Sequence, residues 1–279
     1  MPTGVAICSL LLNSGADKYN IFILEGEDVD AEDRQRLTMQ VNTLSPESRI
    51  SFISMGNIFD GGYEIRGISK ACYYRLMIPW ILPDLEKVIY CDGDVIIKTP
   101  LSSLYKTEIE KLYVAGGETN TPEGWESMKS YFDKLNLDYR TYINSGVLVI
   151  NCELQRRNGL DKVYNSLSKK KFLYQDQDII NIACKGKIGH FSNRYNLLPS
   201  KYATSKELTE NVVIHYAGDK PWNGFTYAWK EWWNVYEKSV FWDREFYHQV
   251  SASILSPKKQ LRRLKRKALD KIKQTWTKI

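Results

Sequence analysis

The sequence lacks several features that would place it outside the reducing cytosol. No apolar run reaches the roughly 18–20 residues that a membrane-spanning helix requires. The first residues show no basic segment followed by a long apolar run, the pattern of a secretory signal. The five cysteines are scattered, and none has a CxxC or zinc-type spacing. We therefore expect a cytoplasmic protein with buried, reduced thiols.

Acidic residues are scarce only near the end of the chain. Between Lys258 and Ile279 there are ten Lys and Arg residues and one acid, which leaves 29 basic and 32 acidic residues elsewhere. The net charge of +6 therefore comes from this tail alone. If the tail is a helix, one face is apolar and the other faces are basic. The apolar face comprises Leu261, Leu264, Ala268, Leu269, Ile272, Trp276 and Ile279.

A basic helix with an apolar stripe is typical of segments that lie on anionic membranes. Pro257 marks a break before it, so we expect a globular domain over 1–250 and a basic amphipathic, membrane-associating tail over 257–279. The predicted location is cytoplasmic, on the inner face of the cell membrane. Two alternatives remain open: the stripe packs on the protein itself or on a second subunit, or the basic run binds nucleic acid without sequence specificity.

Helix-like and strand-like segments alternate along the first 250 residues. This alternation predicts an α/β fold with a mixed, mostly parallel sheet flanked by helices. The predicted helices are 3–14, 31–44, 69–82, 124–135, 153–170 and 176–184, and the predicted strands are 20–24, 49–54, 87–97, 112–117, 143–151 and 211–217. In such sheets ligands bind beyond the carboxyl ends of strands.

Two acids interrupt the strand-like run YCDGDVIIKTP over 90–100. One interpretation is a hairpin turn at Asp-Gly, with the flanking runs paired and the acids facing water. The other is a metal site, because side chains at i and i+2 of an extended chain point the same way. Asp92 and Asp94 would then offer hard oxygen ligands to Mn²⁺ or Mg²⁺. An EF-hand is not indicated, since Ile96, Lys98 and Thr99 occupy the positions where its ligands and glycine should follow.

The stretch HYAGDKPW over 215–222 follows a strand-like run. His215 could complete a metal site that carboxylates begin, although a lone histidine at a strand end is usually structural. Gly218 would let the backbone approach a ligand closely, and Lys220 could neutralise a phosphate.

Two further stretches carry polar side chains inside apolar surroundings. In YINSGVLVI over 142–150, Asn144 and Ser145 interrupt an apolar strand just before Gly146, which indicates either a β-bulge or a polar floor for a small ligand. In YQDQDII over 174–180, Asp176 and Gln177 either begin a helix or bind the hydroxyls of a sugar.

Taken in order, CDGDVI, YINSGVLVIN, YQDQDIIN and HYAGDKPW resemble the family 8 retaining glycosyltransferases, which include bacterial lipopolysaccharide galactosyl- and glucosyltransferases and glycogenin. The resemblance extends to about Tyr247. It implies a GT-A-type, Rossmann-like fold, a UDP-sugar donor, Mn²⁺ (or Mg²⁺) as cofactor, and a glycan or lipid-linked saccharide acceptor in cell-surface polysaccharide synthesis. No specific nucleic-acid partner is expected.

The resemblance also implies roles for individual residues. Asp92, Asp94 and His215 match the metal ligands. Gln177 and Asp176 match the catalytic positions beside the donor sugar, and Glu118 matches an acidic sugar-binding position less closely. The residues matched to donor or cofactor binding are Arg75, Asp92, Gly93, Asp94, Asn144, His215, Gly218 and Lys220.

Retention of configuration requires a covalent intermediate or attack from the face of the leaving group, and the sequence leaves both open. An amide such as that of Gln177 is a poor nucleophile, which favours front-face attack.

At its start the chain departs from the family pattern, because the family's first strand and the nucleotide-holding loop after it have no counterpart before the helix at 3–14. We expect either a longer natural chain or a weakly active or inactive protein that binds nucleotide poorly. A second reading of Asp92-Gly-Asp94-Val95 is the nucleophile motif of haloacid-dehalogenase-like phosphohydrolases, although that motif usually lies on the first strand of its domain.

Overall fold

The computed structural model describes residues 1–26, 29–56, 58–59, 62–63, 70–118, 128–199 and 212–255. The predicted tail over 257–279 therefore lies outside the described residues. The described helices are α1 (Pro2–Leu12), α2 (Ala31–Leu44), α3 (Ile78–Ile81), α4 (Ser102–Tyr105), α5 (Lys129–Lys134), α6 (Cys152–Arg157), α7 (Leu160–Ser168), α8 (Gln175–Ala183), α9 (Trp229–Tyr236) and α10 (Arg244–Leu255). The described strands are β1 (Asn20–Glu25), β2 (Arg49–Ser54), β3 (Lys87–Cys91), β4 (Val95–Ile97), β5 (Val114–Glu118), β6 (Ile143–Asn151), β7 (Ile188–His190) and β8 (Val213–His215). Short 3₁₀ helices span Lys70–Met77, Asn193–Tyr195 and Pro221–Asn223.

The first elements follow the hydrophobic pattern closely. Helix α1 is apolar on every side, and its residues 4–11 are all buried, as expected of a helix without a polar face. Helix α2 begins where the side chain of Asp30 accepts a 2.9 Å hydrogen bond from the backbone of Glu32, a typical N-terminal cap. Strands β1 and β2 pair in parallel on either side of this helix in the sequence. The predicted helices and strands up to residue 54 are thus confirmed.

Two predicted helices differ from the structure. Residues 70–82 form a 3₁₀ helix and then the four-residue helix α3, rather than one α-helix. Pro79 lies in the first turn of α3 and has no N–H for an α-helical hydrogen bond to the preceding turn. The predicted helix 153–170 is divided into α6 and α7, because Gly159 adopts a left-handed conformation at φ 63°.

The described strands form three sheets, β1–β2, β3–β6–β5–β7 and β4–β8. Their pairing is mixed, as predicted, but it is not mostly parallel. The central strand β6 has antiparallel neighbours on both sides, β3 and β5, and β4 pairs antiparallel with β8. Only β1 with β2 and β5 with β7 run parallel. Strand direction depends on which distant segments pair, and the local alternation of helices and strands does not determine it. All nine residues of β6 are buried, as expected of a central strand.

The hairpin interpretation of the acidic turn is wrong. Strand β3 pairs with β6, whereas β4 pairs with β8, so the two strands that flank Asp92 and Asp94 belong to different pairings. The chain crosses from one sheet to another at these two acids. They therefore lie where three strand ends meet, those of β3, β4 and β8.

The aromatic run after residue 226 forms part of the core. Trp232 is fully buried and stacks on Tyr236 with ring centroids 5.0 Å apart. Both belong to the same apolar cluster as the buried side of α1. Helix α1 has a glycine, Gly4, where the ring of Phe241 lies against it, and a Cβ there would fall 2.2 Å from that ring. Burial of large aromatic rings at this contact joins the two ends of the domain.

The thiols behave as predicted. All five cysteines are free, four of them buried and Cys91 half-buried. Burial raises the pKa of Cys8 and of Cys152 to about 11, which keeps both protonated at neutral pH. No helix in the described ranges is long and apolar enough to cross a bilayer.

Arg156 joins helix α6 to the turn that precedes β3. Its Nη1 donates to the carbonyl oxygens of Pro79 at 2.7 Å and Leu85 at 3.0 Å, with a longer contact to Leu82 at 3.4 Å. Replacement of Arg156 by methionine keeps the aliphatic stem and removes the donors. We expect the free energy of unfolding to fall by about 1.5–3 kcal/mol, as measured by denaturant titration.

The matched control is Arg157→Met, which changes the neighbouring, exposed arginine of the same helix. This variant should unfold within about 0.5 kcal/mol of wild type. Equal unfolding midpoints for the two variants would show that the Arg156 contacts contribute no stability.

Candidate active site

Asp92, Asp94 and His215 converge at the junction of β3, β4 and β8. The backbone N–H of Asp92 donates to the carbonyl of Gly146 at 2.8 Å, which extends the β3–β6 pairing by one residue. His215 ends β8 and lies opposite Val95, the first residue of β4. One ligand atom from each of the three side chains lies within 4.8 Å of the other two. The structure thus brings together all three predicted metal ligands.

The arrangement fits a hard divalent cation. His215 Nε2 is 3.3 Å from Asp94 Oδ1 and 3.6 Å from Asp92 Oδ2, so one nitrogen and two carboxylate oxygens face a common point. Asp94 Oδ1 is buried and has no hydrogen-bond partner among the described residues. A buried carboxylate oxygen without a donor is costly, and coordination to a cation would satisfy it. Oxygen-rich sites with one imidazole suit Mn²⁺ and Mg²⁺ better than soft metals.

Basic groups stabilise the charged form of Asp94. Burial alone would raise the pKa of its carboxyl group, but the neighbouring imidazole of His215 and the ammonium of Lys220 hold that pKa well below its usual range. Lys220 Nζ forms an ion pair with Asp94 Oδ2 and donates to the carbonyl of Tyr216 at 2.7 Å. The predicted phosphate-binding lysine is therefore located beside the predicted metal ligands.

Arg75 is a buried cation between two carboxylates, with only 7% of its surface exposed. Its Nη2 lies 2.8 Å from Asp92 Oδ1 and its Nε lies 3.2 Å from Asp176 Oδ2. Nη1 donates to the carbonyl of Ser145 at 2.6 Å. Burial raises the pKa of Asp176, and the charge of Arg75 opposes that effect. The guanidinium thus fixes the distance between a predicted metal ligand, Asp92, and a predicted catalytic residue, Asp176.

Tyr90 was not identified from the sequence, yet it contacts both members of this ion pair. Its hydroxyl donates to Asp92 Oδ1 at 2.6 Å, and the guanidinium of Arg75 lies 4.6 Å from the centre of its ring. Burial raises the pKa of Tyr90 well above its usual value, so the hydroxyl remains a donor. With Oδ1 of Asp92 held by two donors, Oδ2 is the atom left to face His215.

The polar residues of β6 and α8 meet beside the acids. Asn144 Nδ2 donates to Gln177 Oε1 at 2.8 Å, and both residues are buried. Gln175 precedes Asp176 with φ 44°, a left-handed conformation that is uncommon for a residue other than glycine. The pairing of β5 with β6 shifts register opposite Asn144, as the β-bulge interpretation predicts. Such an interruption of the ladder leaves Asn144 free to bond to Gln177 in α8.

The three glycines near the site differ in their physical role. A Cβ on Gly146 would fall 2.1 Å from Cε1 of His215, so the bare backbone makes room for the imidazole. A Cβ on Gly93 would fall 2.6 Å from Thr3 Oγ1, which gives that predicted ligand-binding glycine a packing role against α1. A Cβ on Gly218 would meet nothing within 4 Å, so its backbone faces open space beside the site.

Not every residue matched by resemblance can be placed. Glu118 is the last residue of β5, and its side chain lies outside the described part of the structure. Asn196, which contacts both His215 and Asn144, was missed altogether. The only sequence signal for it is a polar residue before the apolar pair Leu197-Leu198, a pattern too common to single out.

Comparison with known proteins agrees with this geometry. A family model described as "Glycosyl transferase family 8" matches residues 1–226. Among curated proteins, the chain is 27% identical over 247 residues to general stress protein A of Bacillus subtilis, covering 80% of this chain and 83% of that protein. It is 30% identical over 187 residues to a lipopolysaccharide 1,2-glucosyltransferase of Escherichia coli, covering 60% of this chain and 54% of that protein.

The fold is similar to solved glycosyltransferase structures. The galactosyltransferase LgtC, in complex with donor and acceptor sugar analogues, superposes with a TM-score of 0.72 at 23% identity, covering 88% of this chain and 95% of that one. This likeness confirms the predicted GT-A-type fold. Together with the family match, it favours glycosyl transfer over the phosphohydrolase alternative.

Proposed function

Because this chain belongs to glycosyl transferase family 8, we propose that it is a retaining hexosyltransferase that moves galactose or glucose from a UDP-sugar to a saccharide or lipid-linked acceptor. The observation that carries the proposal is the convergence of Asp92, Asp94 and His215 beside Lys220. Relatives named as a lipopolysaccharide glucosyltransferase and a galactosyltransferase support a hexose as the transferred group and a cell-surface polysaccharide as the product.

Asp92, Asp94 and His215 would hold the metal, with Mn²⁺ as the first choice and Mg²⁺ as the second. When bound, a divalent cation would neutralise negative charge on the departing diphosphate. The chain's own contribution is to fix the orientation of two carboxylates at one point. Arg75 and Tyr90 hold one oxygen of Asp92, and Lys220 holds one oxygen of Asp94.

Lys220 and Gly218 would receive the diphosphate. Lys220 ends an exposed stretch after β8, and its half-buried side chain pairs with Asp94. A compact ammonium can turn from a carboxylate to a neighbouring phosphate without losing a charged partner. The backbone at Gly218 faces open space, which allows close approach of a ligand.

Asp176, Gln177 and Asn144 would orient the sugar, and two observations support front-face attack. Asp176 is 6% exposed and paired with Arg75, which leaves its carboxylate poorly placed as a nucleophile. The amide oxygen of Gln177 already accepts hydrogen bonds from Asn144 Nδ2 and from the backbone of Ser145 at 3.3 Å. The positioned groups of the chain therefore serve to hold the sugar, and the acceptor hydroxyl attacks beside the leaving diphosphate.

The proposal is tested by the substrate that the purified protein consumes. With Mn²⁺ present, the protein should slowly hydrolyse UDP-galactose or UDP-glucose and release UDP. It should not hydrolyse p-nitrophenyl phosphate. Hydrolysis of p-nitrophenyl phosphate without turnover of either UDP-hexose would contradict a glycosyltransferase and favour the phosphohydrolase.

Lys220→Ala should weaken UDP binding by about 10–100-fold, since a charge-assisted bond to the diphosphate contributes about 1.5–3 kcal/mol. Isothermal titration with UDP and Mn²⁺ measures the effect. The matched control is Lys98→Ala, which removes another half-buried lysine from an ion pair, with Glu231 at 2.7 Å. Lys98 follows the opposite end of β4 from Asp94. Equal UDP affinity in both variants would refute the role of Lys220.

We further propose that residues 258–279 dock the protein on anionic membrane, where a lipid-linked acceptor would be found. The support comes from the sequence: ten basic residues alternate with the apolar stripe that ends in Trp276 and Ile279. Each basic residue close to an anionic surface contributes about 1 kcal/mol. The cytoplasmic face of the cell membrane is the corresponding location.

Sedimentation with lipid vesicles tests this anchor. The full chain should bind phosphatidylglycerol vesicles, bind neutral vesicles weakly, and be released at high salt because the attraction is screened. A shortened chain that ends at Ser256 should remain in the supernatant and retain turnover of UDP-hexose. Equal sedimentation of the shortened and full chains would show that another surface binds the membrane.

A further inference from the structure

A continuous row of hydrogen bonds runs from His215 through the side-chain amides of Asn196 and Asn144 to Gln177. His215 Nδ1 lies 2.8 Å from Asn196 Oδ1. Asn196 Nδ2 donates to Asn144 Oδ1 at 2.9 Å, and Asn144 Nδ2 donates to Gln177 Oε1 at 2.8 Å. All four residues are less than 10% exposed, so water does not compete for these bonds.

The backbone of β6 fixes the direction of every bond in this row. The N–H of Gly146 can only donate, and it lies 2.9 Å from Asn144 Oδ1, so that atom must be the oxygen. The N–H of Ser145 identifies the oxygen of Gln177 in the same way. Asn144 consequently presents its oxygen to Asn196, and the NH₂ group of Asn196 must donate the hydrogen bond between them. The oxygen of Asn196 is then turned to His215, and Nδ1 of His215 must carry a proton.

We propose that Asn196 is a positioning residue of the metal site: it accepts the Nδ1–H of His215 and so keeps Nε2 directed at Asp92 and Asp94. The proposal rests on the proposed function and deepens it. An imidazole whose Nδ1–H is held by an oxygen offers Nε2 to a cation, and such outer partners fix ring orientation and basicity. Through Asn144 the same residue connects His215 to Gln177, so one hydrogen-bonded row orients both the proposed metal ligand and the proposed sugar-binding residue.

Packing leaves Asn196 and the imidazole little freedom to leave this arrangement. A Cβ on Gly117 would fall 2.9 Å from the Cβ of Asn196, and a Cβ on Gly146 would fall 2.1 Å from the imidazole. Two glycines on neighbouring strands therefore bring β5 and β6 against the two side chains. The row is held by close backbone approach as well as by its own hydrogen bonds.

Nitrogen-15 NMR of histidine-labelled protein tests the proposal. The chain has three histidines, and the other two, His190 and His248, are exposed, so their N–H protons exchange quickly with water. We expect one slowly exchanging histidine N–H, assigned to Nδ1 of His215, in the metal-free protein and with saturating Mg²⁺. A metal-loaded wild-type protein in which Nδ1 of His215 lacks a proton would overturn the proposal without any variant.

Two variants separate the acceptor role of Asn196 from its packing. Asn196→Leu removes the oxygen, and we expect loss of the protected N–H and a 10–100-fold weaker affinity for Mn²⁺ alone. Asn196→Asp retains an oxygen for Nδ1–H, and the protected N–H should remain. The matched control is Asn151→Leu, which removes a buried asparagine with two hydrogen bonds at the far end of β6 and should leave both readouts unchanged.

A folded Asn196→Leu protein with wild-type N–H signal and Mn²⁺ affinity would refute the role of Asn196. If this variant does not fold, the wild-type spectrum and Asn196→Asp decide, since loss of the N–H in the aspartate variant would also contradict it. Neither readout requires a sugar donor. Failure to turn over UDP-hexose with the N–H intact would refute the proposed function and leave the positioning role standing.

Discussion

Asp94→Asn is expected to lower sugar transfer by at least about a hundredfold while the protein remains folded. Asparagine has the shape of aspartate but lacks the charge that faces His215 Nε2 at 3.3 Å and pairs with Lys220. A neutral amide binds a divalent cation more weakly than a carboxylate does, so the loss should affect both Mn²⁺ affinity and turnover. Release of UDP from UDP-hexose measures turnover, and circular dichroism verifies the fold.

The matched control is Asp133→Asn, which also separates an aspartate from a lysine, Lys129 at 2.9 Å, but on an exposed helical surface. A surface pair of this kind contributes about 0.2–1 kcal/mol or less, so the variant should keep wild-type turnover. Turnover in Asp94→Asn within a few-fold of that in Asp133→Asn would exclude Asp94 from the reaction.

Gly146→Ala should disable the site through a single methyl group. The added Cβ would fall 2.1 Å from Cε1 of His215 and 2.6 Å from each ring nitrogen, so the imidazole has to move. We expect the free energy of unfolding to fall by about 1–3 kcal/mol from overpacking. We also expect the affinity for Mn²⁺ to fall by about 10–100-fold from the displaced ligand. Thermal unfolding and Mn²⁺ titration measure the two effects separately.

Gly218→Ala is the control for stability, because the same methyl group meets nothing within 4 Å there. Its unfolding midpoint should match that of wild type. If Gly146→Ala binds Mn²⁺ as tightly as wild type, His215 can shift without cost and is not fixed by its contact with β6.

Local sequence pattern predicted those parts of the fold that local interactions determine. Helix α1 is apolar on all sides, and helix α2 begins at a capping aspartate with acids in its first turn. The division at Gly159 and the 3₁₀ course before Pro79 were missed, since a continuous apolar pattern outweighed single residues that interrupt a helix. The antiparallel neighbours of β6 could not be predicted, because pairing joins segments far apart in the chain.

In the candidate site, too, local sequence pattern predicted some features, and others depend on segments that are distant in the chain. Two acids spaced i, i+2 at a strand end predicted a shared direction for their side chains, and Asp92 and Asp94 have it. The residue types had suggested His215 as a third ligand and Asp176 as a sugar-binding residue, and the family resemblance then favoured both roles. The structure places His215 Nε2 3.6 Å from Asp92 Oδ2, and it joins Asp176 to Asp92 through Arg75. The contacts around them were only partly predictable. Tyr90 lies two residues before Asp92, so the two side chains point the same way along the strand and their hydrogen bond is a local one. The contact of Tyr90 with Arg75 joins segments that are farther apart, and no local pattern indicates it.

The central claim is that Asp92, Asp94 and His215 hold the cation on which sugar transfer depends. The most direct measurement is UDP release from UDP-galactose and UDP-glucose by the full chain, first in EDTA and then with increasing Mn²⁺. We expect no release above background in EDTA, recovery with Mn²⁺ that exceeds recovery with Mg²⁺, and no recovery in Asp94→Asn. An undiminished rate of release by the wild-type protein in EDTA would contradict the claim.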